Sequence, residues 1–364
     1  MKKVKVLALL MAVTMVVALF TGCGSTNNQS SQTKPADSKK KTDVTVGLST
    51  DSGGKGDKSF NDAAIAGLDK IAKEYTVEPV ILESKDQNAY SPNLTTLSGQ
   101  CDLSFGVGFM MEQAVKDIAK ANPNKKYAII DDVVGLPNVV SLTFKANEGS
   151  FLVGVIAGKT TKTGKIGFIG GMDTPLIQNF EAGFDAGVMS VNPAAGADLI
   201  SRKNVRYTGN FNDSSAGKEA ATQLYNSGCD VIYHAAGSCG LGLLDEAKTL
   251  RDGGKDVWAI GVDSDQAQTV PKDADAILTS CMKRVDTGTY LVTKSLIEGK
   301  FQGGTTMTFG LKEDGVGIAP TKNPKAPDGV YDLADKYKAA IIDGKIIVPG
   351  TLADAKTFKP VAIQ

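Results

Sequence analysis

From residue 43 onward, short runs of β-branched and apolar residues alternate with longer stretches in which apolar positions recur at helical spacing, down to about residue 285. Strand-like runs are Val44 to Leu48, Pro79 to Leu82, Leu103 to Val107, Tyr127 to Ile130 and Val139 to Phe144; a helix-like run is Ala63 to Lys73. This alternation predicts βαβ units and parallel sheets, an α/β fold.

The second half of that region repeats the first. Ile166-Gly167-Phe168 answers Val46-Gly47-Leu48, and Phe180-Glu181-Ala182-Gly183-Phe184 answers the Phe60-Asn61-Asp62 and Ala66-Gly67-Leu68 segments. Cys229-Asp230-Val231 answers Cys101-Asp102-Leu103, and Ile260-Gly261-Val262-Asp263 answers Ala128-Ile129-Ile130-Asp131. The matches keep their order at offsets of 120 to 132 residues, which predicts two lobes of similar topology. Open α/β sheets bind ligands outside the carboxyl ends of their strands, so two such lobes would face each other across a cleft. Strand-terminal residues are the candidates for its walls: Asp51, Gly108, Asp131, Gly171, Gly237, Asp263 and Lys283.

One strand-to-helix turn concentrates the candidate chemistry. Asp51 to Asp62 reads DSGGKGDKSFND: three glycines allow close backbone approach to a bound molecule, and Phe60 stands between Ser59 and Asn61. A flat apolar ring beside hydrogen-bonding groups suits a planar, polar solute. A phosphate-binding loop is excluded, because Lys58-Ser59 follows Asp57 where that motif needs glycine. The tripeptide Phe-Asn-Asp recurs at Phe211-Asn212-Asp213, so two rings could approach opposite faces of one planar ligand.

Before the alternating region, a lysine-rich start, the apolar run Val6 to Phe20 and the small residues Thr21-Gly22 read as a signal peptide over residues 1–22. The run is shorter than the roughly 20 apolar residues of a transmembrane helix. Residues 23–42 are polar and poor in large apolar side chains, the composition of a disordered tether. Residues 43–144 form the expected N-terminal lobe, with parts of about 285–315 returning to it, and 145–284 the C-terminal lobe. Tyr290 to Glu298 reads as helix and Thr305 to Leu311 as extended chain; 316–364 is expected to pack on the lobes.

Composition narrows the function classes. Lys plus Arg balances Asp plus Glu at 40 each, and loss of Lys2, Lys3 and Lys5 with the leader leaves 37 against 40. That charge gives no footprint for nucleic acid. With His234 as the single histidine, neither a zinc hydrolase nor a Ser-His-Asp enzyme is expected, and no cofactor or metal site emerges. The cysteines Cys101, Cys229, Cys239 and Cys281 read as small buried thiols, with a Cys239–Cys281 bridge as the alternative.

Taken together, Asp51-Ser52-Gly53-Gly54, Asp57-Lys58-Ser59-Phe60-Asn61, Gly106-Val107-Gly108-Phe109-Met110-Met111, Glu148-Gly149-Ser150-Phe151, Gly170-Gly171-Met172-Asp173, His234-Ala235-Ala236-Gly237 and Gly261-Val262-Asp263-Ser264-Asp265-Gln266 resemble the basic membrane protein (BMP) family. Its members are surface lipoproteins that serve ABC transporters as substrate-binding proteins, purine nucleoside receptors among them. The resemblance implies a type I periplasmic-binding-protein fold: two doubly wound lobes, a hinge of three crossings and a central ligand cleft. It implies that Phe60 and Phe211 sandwich a base, that Asp131 bonds the base's polar edge, and that Asp263 with Lys283 holds ribose hydroxyls. Asp51, Ser59, Asn61 and Gly237 would complete the cleft. Asp131 is followed by Asp132, and either could face the ligand. Leu19-Phe20-Thr21-Gly22-Cys23 resembles a lipobox, which implies a lipid on Cys23 and a membrane-anchored, extracytoplasmic protein.

The expected function is capture of a nucleoside, a purine nucleoside first, and its delivery to an ABC importer permease by a monomeric, non-enzymatic receptor. The alternative is a chemoreceptor or signalling module of the same fold. An enzyme such as a nucleoside hydrolase lacks a metal cluster, a nucleophile-base pair or a phosphate loop in the sequence.

Overall fold

The computed structural model describes residues 39–363; Cys23, the leader and most of the expected tether lie outside the described residues. The first part of the chain supplies β1 (Val46–Ser49), α1 (Phe60–Glu74), β2 (Val80–Leu82), α2 (Tyr90–Gln100), β3 (Leu103–Val107), α3 (Glu112–Ala121), β4 (Lys126–Ile130) and β5 (Val139–Phe144). Next come α4 (Ala146–Thr160), β6 (Ile166–Gly170), α5 (Pro175–Val191), α6 (Pro193–Ile200), β7 (Val205–Tyr207), α7 (Ser214–Asn226), β8 (Val231–Ala235), α8 (Cys239–Asp252), β9 (Trp258–Asp263), α9 (Gln266–Thr269) and β10 (Ile277–Lys283). The last part holds α10 (Val285–Ile297), β11 (Thr306–Phe309), β12 (Val316–Ile318), α11 (Val330–Ile342) and α12 (Leu352–Thr357).

These strands form two sheets with the same winding. One runs β2-β1-β3-β4-β5-β11 and the other β7-β6-β8-β9-β10-β12. Pairing is parallel throughout except where β12 runs antiparallel to β10. In each sheet the strand order reverses beside the first strand, the switch point at which ligands enter this class of sheet. Because the internal strands are covered on both faces, β1, β3, β6, β8 and β9 are buried along their whole length, and they read as nearly unbroken apolar runs.

The repeat extends to helix packing. Gly67 of α1 lies against α10, where a Cβ would stand 2.2 Å from the Asp286 carbonyl oxygen. Gly183 of α5 lies against α4, where a Cβ would stand 2.1 Å from the Asn147 carbonyl oxygen. At both places, only the missing side chain lets two helices approach so closely.

The chain passes between the sheets after β5, after β10 and after β11. Through the second passage α10 returns to pack on α1. Almost every residue of α4 is buried, because α5, α11 and β12 all pack on it; this explains an apolar character without a polar stripe. The tail beyond residue 316, where the apolar pattern is weak, is ordered by specific contacts: Tyr331 donates to the Leu278 carbonyl at 2.8 Å and accepts from the Asn323 N–H at 2.9 Å.

Cys101, Cys229, Cys239 and Cys281 are all buried free thiols, and Cys239 and Cys281 form no bridge. Among the described residues, no helix is long and apolar enough to cross a membrane.

Candidate functional site

The carboxyl ends of both sheets converge on one cavity between the lobes. One wall carries Asp51, Asp57, Phe60, Asn61, Phe109 and Asp131; the other carries Phe180, Phe211, Gly237, Asp263 and Lys283.

The first wall is organised by the turn after β1. Asp57 accepts hydrogen bonds from the backbone N–H groups of Ser59 (3.0 Å), Asn61 (2.8 Å) and Asp62 (3.0 Å), so its carboxylate satisfies the free donors at the start of α1. The Asn61 amide joins this carboxylate to its neighbour, donating to Asp57 Oδ2 at 3.0 Å and to Asp51 Oδ1 at 2.7 Å while accepting from the Asp51 N–H at 3.0 Å. Two buried acids are thereby fixed side by side. Burial raises the Asp51 carboxyl to about 6, against the opposing pull of the Asn61 and Gly53 donors, and burial likewise raises Asp57.

Ser59 stands behind the wall and not on it. Fully buried, it donates its hydroxyl across the cleft to Asp263 Oδ2 at 2.5 Å, which makes it an interlobe contact. Asp263 ends β9, and burial raises its carboxyl to about 6 despite the nearby Lys283 ammonium and the Ser59 hydroxyl.

Lys283 ends β10 with its side chain only 3% exposed. It is ion-paired to Asp131 of the opposite lobe, where the resemblance had paired it with Asp263. Its ammonium lies 4.6 Å from the centroid of the Phe60 ring, 5.3 Å from Phe144 and 5.5 Å from Phe180, an aromatic enclosure that favours a desolvated cation. Of the adjacent acids, Asp131 lines the cavity, whereas Asp132 accepts from the Val133 N–H outside it. Asp131 Oδ1 is buried without a hydrogen-bond partner, an acceptor available to a solute.

Phe60 opens α1, whereas Phe211 follows β7, so the two copies of Phe-Asn-Asp are not topological equivalents even though both rings reach the cavity. Phe109 meets Phe211 edge-on, with centroids 6.4 Å apart. Gly237 takes a φ of 54° in the turn after β8, and Gly171 packs against the Phe211 ring. Phe109, Phe180, Leu176 and Ile177 also line the cavity, beyond the residues the sequence pointed to. The strand-end position of Phe109 and the repeated Phe-containing motif at Phe180 were the available signals.

His234 is not at the cavity. It is buried in β8 with Nε2 2.9 Å from Gln266 Oε1, and burial lowers it to about 4, so it is neutral. The Cys239 thiol turns to Asn210 Oδ1 at 3.2 Å. Among the described residues, no cluster of three or more His, Cys, Asp or Glu could hold a metal ion. The cavity therefore offers aromatic faces and fixed hydrogen-bond acceptors around one ammonium, an arrangement suited to recognising a planar group that carries hydroxyls or N–H donors.

Known proteins share this architecture. The family model described as ABC transporter substrate-binding protein, PnrA-like, matches residues 44–351. The CD4+ T-cell-stimulating antigen of Listeria innocua is 39% identical over 354 residues, covering 93% of this chain and 97% of that one. The ABC transporter nucleoside-binding protein BmpA of Lactococcus lactis is 37% identical over 348 residues, 92% of this chain and 95% of that one. Among solved structures, a solute-binding protein of an ABC transporter system from Aeropyrum pernix K1 superposes with a TM-score of 0.75 at 30% identity, covering 86% of this chain and 96% of that one.

Proposed function

Because the chain belongs to the PnrA-like (Bmp) family of ABC transporter substrate-binding proteins, we propose that its cleft captures a purine nucleoside and that the closed, loaded form delivers it to an importer permease. The family consists of binding proteins and not enzymes. The observation that carries the ligand assignment is the pairing of Phe60 and Phe211 from opposite lobes in one cavity with the carboxylates at the ends of β4 and β9. Base stacking on an aromatic side chain contributes about 1 to 3 kcal/mol, and a carboxylate accepts from both hydroxyls of a vicinal diol. The Lactococcus lactis relative, named for nucleoside binding, supports the same reading.

In this reading Phe60 and Phe211 stack on the base, and Asp131 accepts from its polar edge through the unpartnered Oδ1. Asp263 and Lys283 hold the ribose, and Asp51 and Gly237 complete the wall. Asn61 and Ser59 act indirectly, by orienting Asp51 and Asp263. A lipid on Cys23 keeps this monomeric receptor at the outer face of the membrane, beyond a signal peptide of residues 1–22 and a tether of residues 23–42. The lobes comprise 43–144 with parts of about 285–315, and 145–284 with the strand β12, the rest of 316–364 packing on them.

A calorimetric and thermal-shift panel tests the ligand. Inosine, guanosine and adenosine are expected to bind and raise the melting temperature; free bases and deoxyribosides are expected to do so less, because a pocket built for a diol leaves its own groups unpaired without one. At 1,000 times the dissociation constant, ligand adds about 4 kcal/mol. A response confined to sugars or amino acids sinks the proposal.

A further inference from the structure

The lobes also touch away from the cavity, at the carbonyl oxygen of Lys58. That oxygen belongs to the first lobe, yet it accepts two hydrogen bonds from the second: Ser264 Oγ at 2.7 Å and Gln266 Nε2 at 3.2 Å. Lys58, Ser264 and Gln266 are all absent from the cavity lining.

Both sides of this contact are fixed in advance. Lys58 adopts a left-handed backbone, φ 55°, unusual for a residue with a side chain. Its N–H donates to Asp62 Oδ2 at 3.2 Å, the next N–H donates to Asp57 Oδ1 at 3.0 Å, and Gly56 donates to Asp62 Oδ1 at 2.8 Å, so the loop keeps the conformation. Residues kept in such regions cluster where a device depends on them. On the other side Gln266 is fully buried, and its Oε1 accepts from the Val262 N–H at 3.0 Å and faces His234 Nε2 at 2.9 Å.

The hydrogen-bond pattern fixes the amide orientation. The Val262 N–H can only donate and the Lys58 carbonyl can only accept, so the Gln266 oxygen faces Val262 and the NH2 faces Lys58. His234 then has to donate from Nε2, which sets its tautomer. The amide whose oxygen is held by the Val262 N–H and the His234 ring thus presents its NH2 to the other lobe.

We infer that Gln266, its oxygen held by the Val262 N–H and His234 and its amide assisted by Ser264, is a closure latch: a positioning residue that stabilises the closed form of the lobes through the Lys58 carbonyl without touching the ligand. The latch sets how much of the unliganded protein is closed, and apparent affinity scales with that fraction. It follows from lobe geometry and does not depend on which ligand the cleft takes.

The test uses the unliganded protein with one spin label on the exposed face of each lobe, and reads the closed fraction from the interlabel distance distribution at pH 8. Gln266→Glu keeps the acceptor for Val262 and His234 and replaces the NH2 with an oxygen facing the Lys58 carbonyl. Ser264→Ala removes the second donor at a partly exposed position. The closed fraction is expected to fall about tenfold in Q266E and about threefold in S264A. In the nucleoside-loaded proteins, inosine dissociation is expected to accelerate by the same factors with little change in association. A closed fraction equal in all three proteins overturns the latch; if Q266E does not fold, S264A decides alone. The distance measurement needs no ligand, so failure of the latch and failure of the nucleoside assignment are read separately.

Discussion

Asp131 and Asp263 end equivalent strands of the two sheets, β4 and β9, and both adopt left-handed backbone, with φ of 69° and 64°. The paired departure is what a duplicated ancestral turn would leave, and each carboxylate is directed into the same cavity. Their surroundings differ: Asp131 is ion-paired to Lys283, whereas Asp263 accepts from the neutral Ser59 hydroxyl.

Opposite effects on stability therefore follow from the same substitution. Asn tolerates left-handed backbone, so neither change adds strain. Asp131→Asn leaves the buried Lys283 ammonium without its partner; the cost is expected near 2 kcal/mol, below the roughly 3 to 5 of a fully isolated pair, because Asp263 also faces that ammonium. Asp263→Asn removes a desolvated carboxylate and is expected to raise the melting temperature of the unliganded protein at pH 7. Both variants are expected to lose most of the nucleoside-induced shift. Chemical denaturation of both, with and without inosine, gives the signs directly.

The raised carboxyls give a pH signature. Asp51 and Asp263 titrate near 6 in the folded protein and near 3.8 when unfolded, so between these values the folded state holds more protons. Their contribution to stability is full below about 4 and is lost as pH rises through 6, at most about 3 kcal/mol for each group. Glu74, lowered to about 2 by its bonds with Tyr290 and Lys40, acts in the opposite direction, but only below about 4.5. Unliganded stability is therefore expected to peak near pH 4 and to fall from there to about 6, whereas nucleoside affinity falls below pH 6 as the acceptor carboxylates protonate. Melting curves from pH 4 to 8 that rise monotonically for the unliganded protein contradict this.

Truncating either aromatic face isolates stacking. Phe60→Ala and Phe211→Ala are each expected to weaken nucleoside binding by about 1 to 3 kcal/mol. Phe60→Ala is expected also to lower unliganded stability, since the Lys283 ammonium lies 4.6 Å from that ring. Titration calorimetry of both variants checks the difference.

The sign of the cavity excludes anions. Asp51, Asp57, Asp131 and Asp263 share its walls with the single ammonium of Lys283. Inosine 5′-monophosphate is expected to bind at least 100-fold more weakly than inosine, since like charge in a low-dielectric cleft costs several kcal/mol. Equal affinities would contradict the electrostatic reading.

Sequence by itself determined the α/β class, the internal repeat and the strand-end positions at which Asp51, Asp131, Asp263 and Lys283 meet the cavity. These were legible because they are local: strand and helix periods, and the turn residues between them, are written within stretches of a dozen residues. Tertiary structure decided which groups meet. Lys283 pairs with a residue 152 positions away, and Ser59 reaches one 204 positions away, through the relative seating of two sheets that no local pattern encodes. The same holds for Phe109 and Phe180, which line the cavity only because two lobes face each other, and for Gln266, whose amide meets a carbonyl of the opposite lobe. The tail beyond residue 316 was least legible, because what the apolar face of α11 packs on, a face of α4, is set by the tertiary structure and not by the tail's own sequence.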